Sequence, residues 1–462
     1  MGPPRSGSSK KSTSKNPQGR DNRKEKKRPQ QSKQETAQSR HDQTGQDGNQ
    51  IDLSATIPLT LQQLLLNVFK TALLTSDGPH DHDHDHLNEH RAQTPRAETA
   101  SEPEAQTTAP SGKEELDIKS LVQTIKSHLY NRDFDSAFAD ADEDLLRAYA
   151  LRWSASRALG YAGIFKSVLQ ALLWGSDRAQ VQAQAKETSH IVCIGGGAGA
   201  EIMALATAWR DMMDETDLSD GVGAVSLEDK SGGQGQNQNT ATAATSSPRP
   251  GLAVTAVDIA DWSSVVDRLA RTIRSPAVPG TKSHPAPLQS ERTDSFVVRF
   301  ERADVLSLAE EGLRKILHLD DATAPARTVL VTLMFTLNEL FSTSMARTTE
   351  FLLRATDLLT AGTVFLVVDS PGSYSTLKLG KSAKTDAEAD GASAAPQERR
   401  YPMKFLLDHT LLSVAAGKWE KIYEQDSRWW RRDAARLRYY VGEGAGLEDM
   451  RFQIHVYRRL AD

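Results

Sequence analysis

The residues best spaced for chemistry begin with Gly195-Gly196-Gly197-Ala198-Gly199-Ala200-Glu201, directly after the apolar run at 190–194. Glycines at a strand-to-helix turn let the backbone approach an anionic or zwitterionic ligand, and the helix that follows offers unpaired N–H groups. Gly195, Gly197 and Ala200 also satisfy GxGxxG/A, so the turn alone does not separate a nicotinamide cofactor from S-adenosylmethionine. Polar residues then recur at the ends of later apolar runs: Asp258, Asp304 beside Val305, Asn338 beside Glu339, and Asp369. Asp258 is placed to accept from ribose hydroxyls and Asp304 from an adenine amine next to an apolar wall, while Glu201 and Asn338 complete the expected cofactor set. Gly199 and Asp258 are 59 positions apart, against about 20 in the dinucleotide pattern. Removing the Ser/Gln/Thr/Gly-rich stretch near 214–251 restores the shorter spacing. Any one of these carboxylates is more often a turn residue than a ligand; their succession favours a nucleoside cofactor carrying a methyl group.

These residues need a scaffold, and apolar runs alternating with helical periodicity supply one. Strands are expected at 190–194, 253–257, 296–302, 328–335 and 363–368, with helices at 263–273, 350–359 and 403–412 and two late strands at 419–423 and 453–457. Such alternation specifies an α/β fold around a largely parallel sheet, whose ligand lies outside the carboxyl ends of the strands. Upstream, Leu61, Leu64, Leu65, Val68, Phe69 and Ala72 form one helical face. Ile118, Leu121, Val122, Ile125 and Leu129 form another, and a further helical stretch spans 142–174.

Composition limits how much of the 462 residues is core. Apolar residues make up 38% and mean hydropathy is −0.51. Residues 1–50 read as a disordered basic tail, 51–75 as an amphipathic helix, 76–113 as a disordered linker and 114–185 as a helical region. Residues 186–462 read as the catalytic domain, with low-complexity inserts near 214–251 and 379–399. The tail holds 12 Lys/Arg against 5 Asp/Glu, so the net charge of −5 conceals a tail of +7 on a body of −12. Its run Arg23, Lys24, Glu25, Lys26, Lys27, Arg28 suits nuclear localisation or phosphate contact, and equally a solubilising tail. No apolar run reaches membrane-spanning length, and the start lacks the apolar segment of a signal peptide, so a soluble, unsecreted chain with no membrane partner is expected. Cys193 is the single cysteine, and the alternating His80–His86 tract is an adventitious insert more readily than a metal site, so no metal is expected.

The segments IVCIGGGAGAEI, VTAVDIADW, RADVL, VTLMFTLNELF, GTVFLVVDSPGSYS and RFQIHVYRRL resemble those of class I S-adenosylmethionine-dependent methyltransferases. LQQLLLNVFK, HLYNRDF, YALRWSASRALGY and TLMFTLNELF narrow the resemblance to the fungal 25S rRNA uridine-N(3) methyltransferases. That resemblance implies a Rossmann-like seven-stranded mixed sheet with its last strand antiparallel and an N-terminal helical extension. It implies S-adenosylmethionine along Gly195, Gly197 and Gly199, with Asp258 at the ribose and Asp304 at the adenine amine. It also implies large-subunit rRNA or a pre-ribosomal particle as partner; the chain is expected to be a monomer in the nucleus or nucleolus, with the cytoplasm as a further location.

Methyl transfer from a sulfonium needs mainly alignment, but the imide N(3) of uracil must also lose a proton. Glu339 and Asp369 are the candidate bases. The Asn/Asp-Pro-Pro-aromatic loop of amine methylation is missing at 336–341, and Cys193 lies inside an expected strand, which closes the cysteine route to pyrimidine C5. Arginines interleaved with aromatics mark expected RNA contacts at Arg152, Trp153 and Arg157, and at Arg428, Arg431 and Arg432 around Trp429 and Trp430. Two other readings stay open. Tyr374 and Lys378 match the Tyr-x-x-x-Lys of a nicotinamide-dependent oxidoreductase, and a non-catalytic assembly factor would share the fold.

Overall fold

The computed structural model describes residues 51–74, 116–131, 133–173, 188–225, 250–290, 296–319, 327–372, 374–378 and 398–462. The basic tail, the His/Asp tract and most of both inserts lie outside them. Four helices come first: α1 (Leu59–Leu74), α2 (Ile118–Asn131), α3 (Glu143–Tyr149) and α4 (Ala155–Leu173). The alternating part follows as β1 (Thr188–Ile194), α5 (Ala200–Val225), β2 (Gly251–Asp258), α6 (Ser263–Ile273), β3 (Phe296–Arg302), α7 (Glu310–Ile316), β4 (Arg327–Met334), α8 (Leu337–Thr343), α9 (Met345–Leu358) and β5 (Val364–Asp369). A hairpin of β6 (Tyr374–Lys378) and β7 (Glu398–Pro402), α10 (Met403–Asp408), β8 (Trp419–Trp430) and β9 (Met450–Arg459) complete the chain.

Seven strands form one sheet in the order β3-β2-β1-β4-β5-β9-β8. The first five are parallel, β9 runs antiparallel to β5, and β8 runs antiparallel to β9. This is the Rossmann-like mixed sheet expected. β5 is buried at every position, as a strand covered on both faces must be, whereas edge strand β3 buries only Phe296 fully. The order turns around β1 and β4, so the switch point lies at the glycine turn.

The upstream helices are part of the same core. α1 buries Leu61, Leu64, Leu65, Val68, Phe69 and Ala72 as periodicity specifies, and Leu66 and Leu73 besides, because α4, α5 and α6 surround it. α3 starts at an Asp142 cap whose carboxylate accepts from the Leu145 N–H at 2.8 Å. The stretch expected as one helix over 142–174 is interrupted by a π-turn, Ala150–Ser154, which re-aims the residues around it. Lys166 ties α4 to α5 through Asp211 at 2.7 Å and Glu215 at 2.6 Å. α5 runs on to Val225, inside the stretch read from sequence as an insert.

Two features escaped the sequence reading. Tyr374 and Lys378 bound a strand rather than a helix, and four residues of strand span about 13 Å against about 6 Å for one helical turn. That spacing removes the oxidoreductase pairing. The late strands are also longer than their apolar cores, because β8 continues as an exposed edge through a register shift between Gln425 and Arg428.

Candidate active site at the carboxyl edge of the sheet

The turn between β1 and α5 is built by packing. Gly195 and Gly199 adopt φ of +76° and +82°, which a side chain would strain. A Cβ on Gly197 would stand 2.1 Å from the Trp262 ring. The room at Gly197 is therefore filled by Trp262 and Asp258, and what the turn can offer a ligand is its backbone. Asp258, the last residue of β2, accepts from the Gly197 N–H at 3.1 Å and the Ala260 N–H at 3.3 Å. Burial raises its pKa to about 6 against these bonds. Glu201 lies buried on the first turn of α5, 3.5 Å from the Thr332 hydroxyl; burial first, then the Asp258 charge, raise it to about 8.

At β3, Asp304 closes its own turn, accepting from the Leu306 N–H at 3.0 Å and the Ser307 hydroxyl at 2.6 Å, with Val305 buried beside it. Beyond β4 the chain bends through Phe335, at φ +62°, whose N–H donates to Val368 at 2.6 Å. The bend launches α8, and Asp369 at the end of β5 accepts from the Asn338 N–H at 3.0 Å and the Ser370 N–H at 2.7 Å. Only 3% exposed and bonded through both oxygens, Asp369 braces α8; this geometry does not suit the base role expected of it. Glu339, one residue along α8, is exposed; partial desolvation of its carboxylate raises it toward about 7, with the Arg157 guanidinium opposing and the Asp369 and Asp258 charges adding.

Arg157, expected at the RNA, projects from α4 to the same edge, donating to the Tyr149 hydroxyl at 3.0 Å and lying 5.2 Å from the Phe335 ring centre. Glu339 and Glu201 both feel its charge. Tyr161, one turn on, stacks on Phe335 at 6.4 Å and is 1% exposed, with no partner for its hydroxyl among the described residues. Sequence reasoning did not single out Tyr149, Trp262 and Phe335, and it gave the arginines and aromatics around Arg152, Trp153 and Arg157 to RNA alone.

Four carboxylates and one guanidinium thus converge on the ends of β1, β2, β4 and β5 beside the glycine turn. The donor set fits a nucleoside cofactor: a desolvated carboxylate at β2 for a diol, and a buried Asn338 Oδ1 without a partner where β4 ends. Among the described residues no group of three or more His, Cys, Asp or Glu is arranged to hold a metal ion.

The expected RNA contacts separate. Arg152 is 8% exposed, ion-paired with Glu448 through one nitrogen and stacked on Trp153 at 5.2 Å, its other two guanidinium nitrogens having no partner among the described residues. Trp153 is half-buried against Tyr149. Trp429 is 49% exposed at the top of edge strand β8, with the Arg431 guanidinium 3.9 Å from its ring centre, whereas Trp430 turns inward onto Gly160. Arg431 also pairs with Asp449 at 2.7 Å, and Arg432 donates to the Leu447 carbonyl. Arg428 lines a concavity of about 480 Å³ with Ile51, Asp52, Leu53, Ser54, Tyr423 and Gln425, away from the glycine turn.

Comparison with known proteins decides between the cofactors. A family of S-adenosylmethionine-dependent methyltransferases matches residues 104–458. The chain belongs to that family. The methyltransferase is 30% identical over 349 residues, 74% of its own length and 79% of the relative's, to the 25S rRNA (uridine(2843)-N(3))-methyltransferase of Saccharomyces cerevisiae. Among solved structures it is similar to a SAM-dependent methyltransferase of Methanosarcina mazei, at 9% identity and TM-score 0.28 over 62% of this chain and all of that one. It is similar also to the 16S rRNA methylase ArmA, at 12% identity and TM-score 0.27 over 74% of this chain and 98% of that one. The cofactor of this methyltransferase is S-adenosylmethionine. Among the described residues no helix is long and apolar enough to cross a membrane.

Proposed function

We propose that the chain methylates N(3) of a uridine in large-subunit rRNA, as a monomer acting on the RNA or on a pre-ribosomal particle in the nucleus or nucleolus. The reading rests on one observation above the others: Glu339 stands in the first turn of α8, just beyond β4, among the charges of Arg157, Asp369 and Asp258, which with desolvation raise it toward neutrality. A carboxylate titrating near neutrality is matched to removing the proton of a weakly acidic imide. The yeast relative, named as a uridine-N(3) methyltransferase, supports it.

When bound, S-adenosylmethionine supplies an activated methyl group whose leaving thioether is neutral. The chain's part is to align and deprotonate. The backbone of Gly195, Gly197 and Gly199 with Glu201 and Asn338 holds the methionine end, Asp258 the ribose, and Asp304 with Val305 the adenine. Asp369 fixes α8 so that Glu339 faces the acceptor, and Glu339 takes the N(3) proton. Arg428, Arg431 and Arg432, with Trp429 as a stacking face, guide the RNA. Residues 1–50 add phosphate contacts, 51–75 and 114–185 supply the upstream helices, and 186–462 carry the catalytic fold.

Glu339→Gln tests the assignment. With S-adenosylmethionine affinity retained, methyl transfer to large-subunit rRNA is expected to fall about 10²–10⁴-fold. A variant as fast as the parent removes Glu339 from the chemistry.

A further inference from the structure

At N(3) of uracil the departing proton and the arriving methyl group use the same in-plane orbital. The proton must therefore leave before the methyl arrives, and between the two events the base is an anion with its charge on the two flanking carbonyl oxygens. The carboxylates at this edge oppose that anion: Glu339 is faced by Asp369 from β5 and Asp258 from β2. Something cationic has to offset them.

We propose that Arg157 is a further catalytic residue, which takes the negative charge of a carbonyl oxygen of the deprotonated acceptor base. This rests on the uridine-N(3) reading. Three observations carry it. Arg157 is the cation acting on Glu339, from α4, across the site from the strands that bear the carboxylates. Its only hydrogen-bond partner among the described residues is the Tyr149 hydroxyl, at 3.0 Å, and it forms no ion pair with any carboxylate there. A guanidinium has five N–H donors, so most of its fork remains for a ligand. The Tyr149 and Phe335 rings, centred 5.9 and 5.2 Å from its carbon, hold the guanidinium between them. Finally, Tyr161 places a buried hydroxyl without a partner among the same charges, one turn away on α4 and stacked on Phe335. Leaving such a group unmade is costly, and a carbonyl oxygen entering beside Arg157 would satisfy it.

In the step, the N(3)–H bond breaks and its proton forms an O–H bond with Glu339, leaving the electron pair on the imide. Arg157, with Tyr161 as neutral donor, holds the oxygen charge. The N(3) lone pair then bonds the methyl carbon, the carbon–sulfur bond breaks with its pair going to sulfur, and Glu339 returns its proton to water.

The test compares wild type, Arg157→Gln and Arg157→Lys in single-turnover methyl transfer to large-subunit rRNA at saturating S-adenosylmethionine from pH 6 to 9. Calorimetric cofactor affinity is measured alongside. Arg157→Gln is expected to be about 100-fold slower at pH 7. Its rate should climb about tenfold per pH unit as the medium ionises the imide, whereas wild type levels off above about 7. Arg157→Lys should recover part of the rate, and cofactor affinity should stay within about threefold. A loss equal at every pH, or weakened cofactor binding with an intact saturated rate, which would mark an anchor for the cofactor's own carboxylate, overturns the proposal. Wild type forming no N(3)-methyluridine overturns the uridine reading and this proposal together; product from wild type with an unaffected Arg157→Gln overturns this one alone.

Discussion

At neutral pH the acidic residues around the glycine turn carry different charges: Asp258, near 6, is mostly ionised, Glu339, near 7, is divided, and Glu201, near 8, is mostly protonated. For Glu201 the folded pKa lies above the unfolded value of 4.5, so the native state binds the extra proton. Its burial therefore costs nothing below about pH 4.5, and stability falls as pH rises from there to about 8. Glu201→Gln removes the ionisation. It should leave unfolding free energy nearly unchanged at pH 4.5 and raise it at pH 8.5 by on the order of 5 kcal/mol. Denaturant unfolding at both pH values checks this, and an equal effect at each would mean that Glu201 is charged when folded. Asp258 was legible in the sequence because an acidic residue closing an apolar run after a glycine turn has a local signature. Arg157 was legible as an RNA contact but not as a neighbour of Glu339, since Tyr149, Phe335 and Glu339 come from separate elements and only the fold unites them. Asp369 was legible as a strand end, but its engagement by Asn338 and Ser370 depends on how α8 docks.

At the scale of elements, the turn between β1 and α5 is set by what packs on it. Gly197→Ala drives a methyl group into the Trp262 ring and the Asp258 side chain. The expected cost is about 1–3 kcal/mol by thermal or denaturant unfolding, with S-adenosylmethionine binding weakened at least tenfold because the Gly197 N–H and Asp258 move together. A variant with parental stability would show that Trp262 yields freely. The buried strands and α6 could be read from the sequence because an apolar run or a 3.6-residue period survives whatever surrounds it. The β6–β7 hairpin and short α7 and α8 could not, since their positions depend on neighbours and Phe335 holds a positive φ without being glycine. The π-turn at Ala150–Ser154 was equally hidden, and it separates Arg152, buried against Glu448, from Arg157 at the active site.

For the whole molecule, a compact acidic body follows a basic tail of net +7, so part of the affinity for RNA should be electrostatic. Deleting residues 1–50 is expected to flatten the dependence of log affinity for large-subunit rRNA on log salt while leaving S-adenosylmethionine binding intact. An unchanged slope would give the phosphate contacts to the body, where Arg428, Arg431 and the Trp429 face stand ready. The helices before β1 belong to that body, since α1 and α4 pack into the core and α4 delivers Arg157 and Tyr161 to the site. The sequence resemblance already implied this chemistry, but not that an upstream helix would supply its central cation. The measurement that bears most directly on the account is mass spectrometry of nucleosides from large-subunit rRNA incubated with the purified protein and S-adenosylmethionine carrying a labelled methyl group. Label in N(3)-methyluridine, lost with Glu339→Gln, is the predicted result; label on another base or atom, or bound cofactor without any transfer, would contradict it.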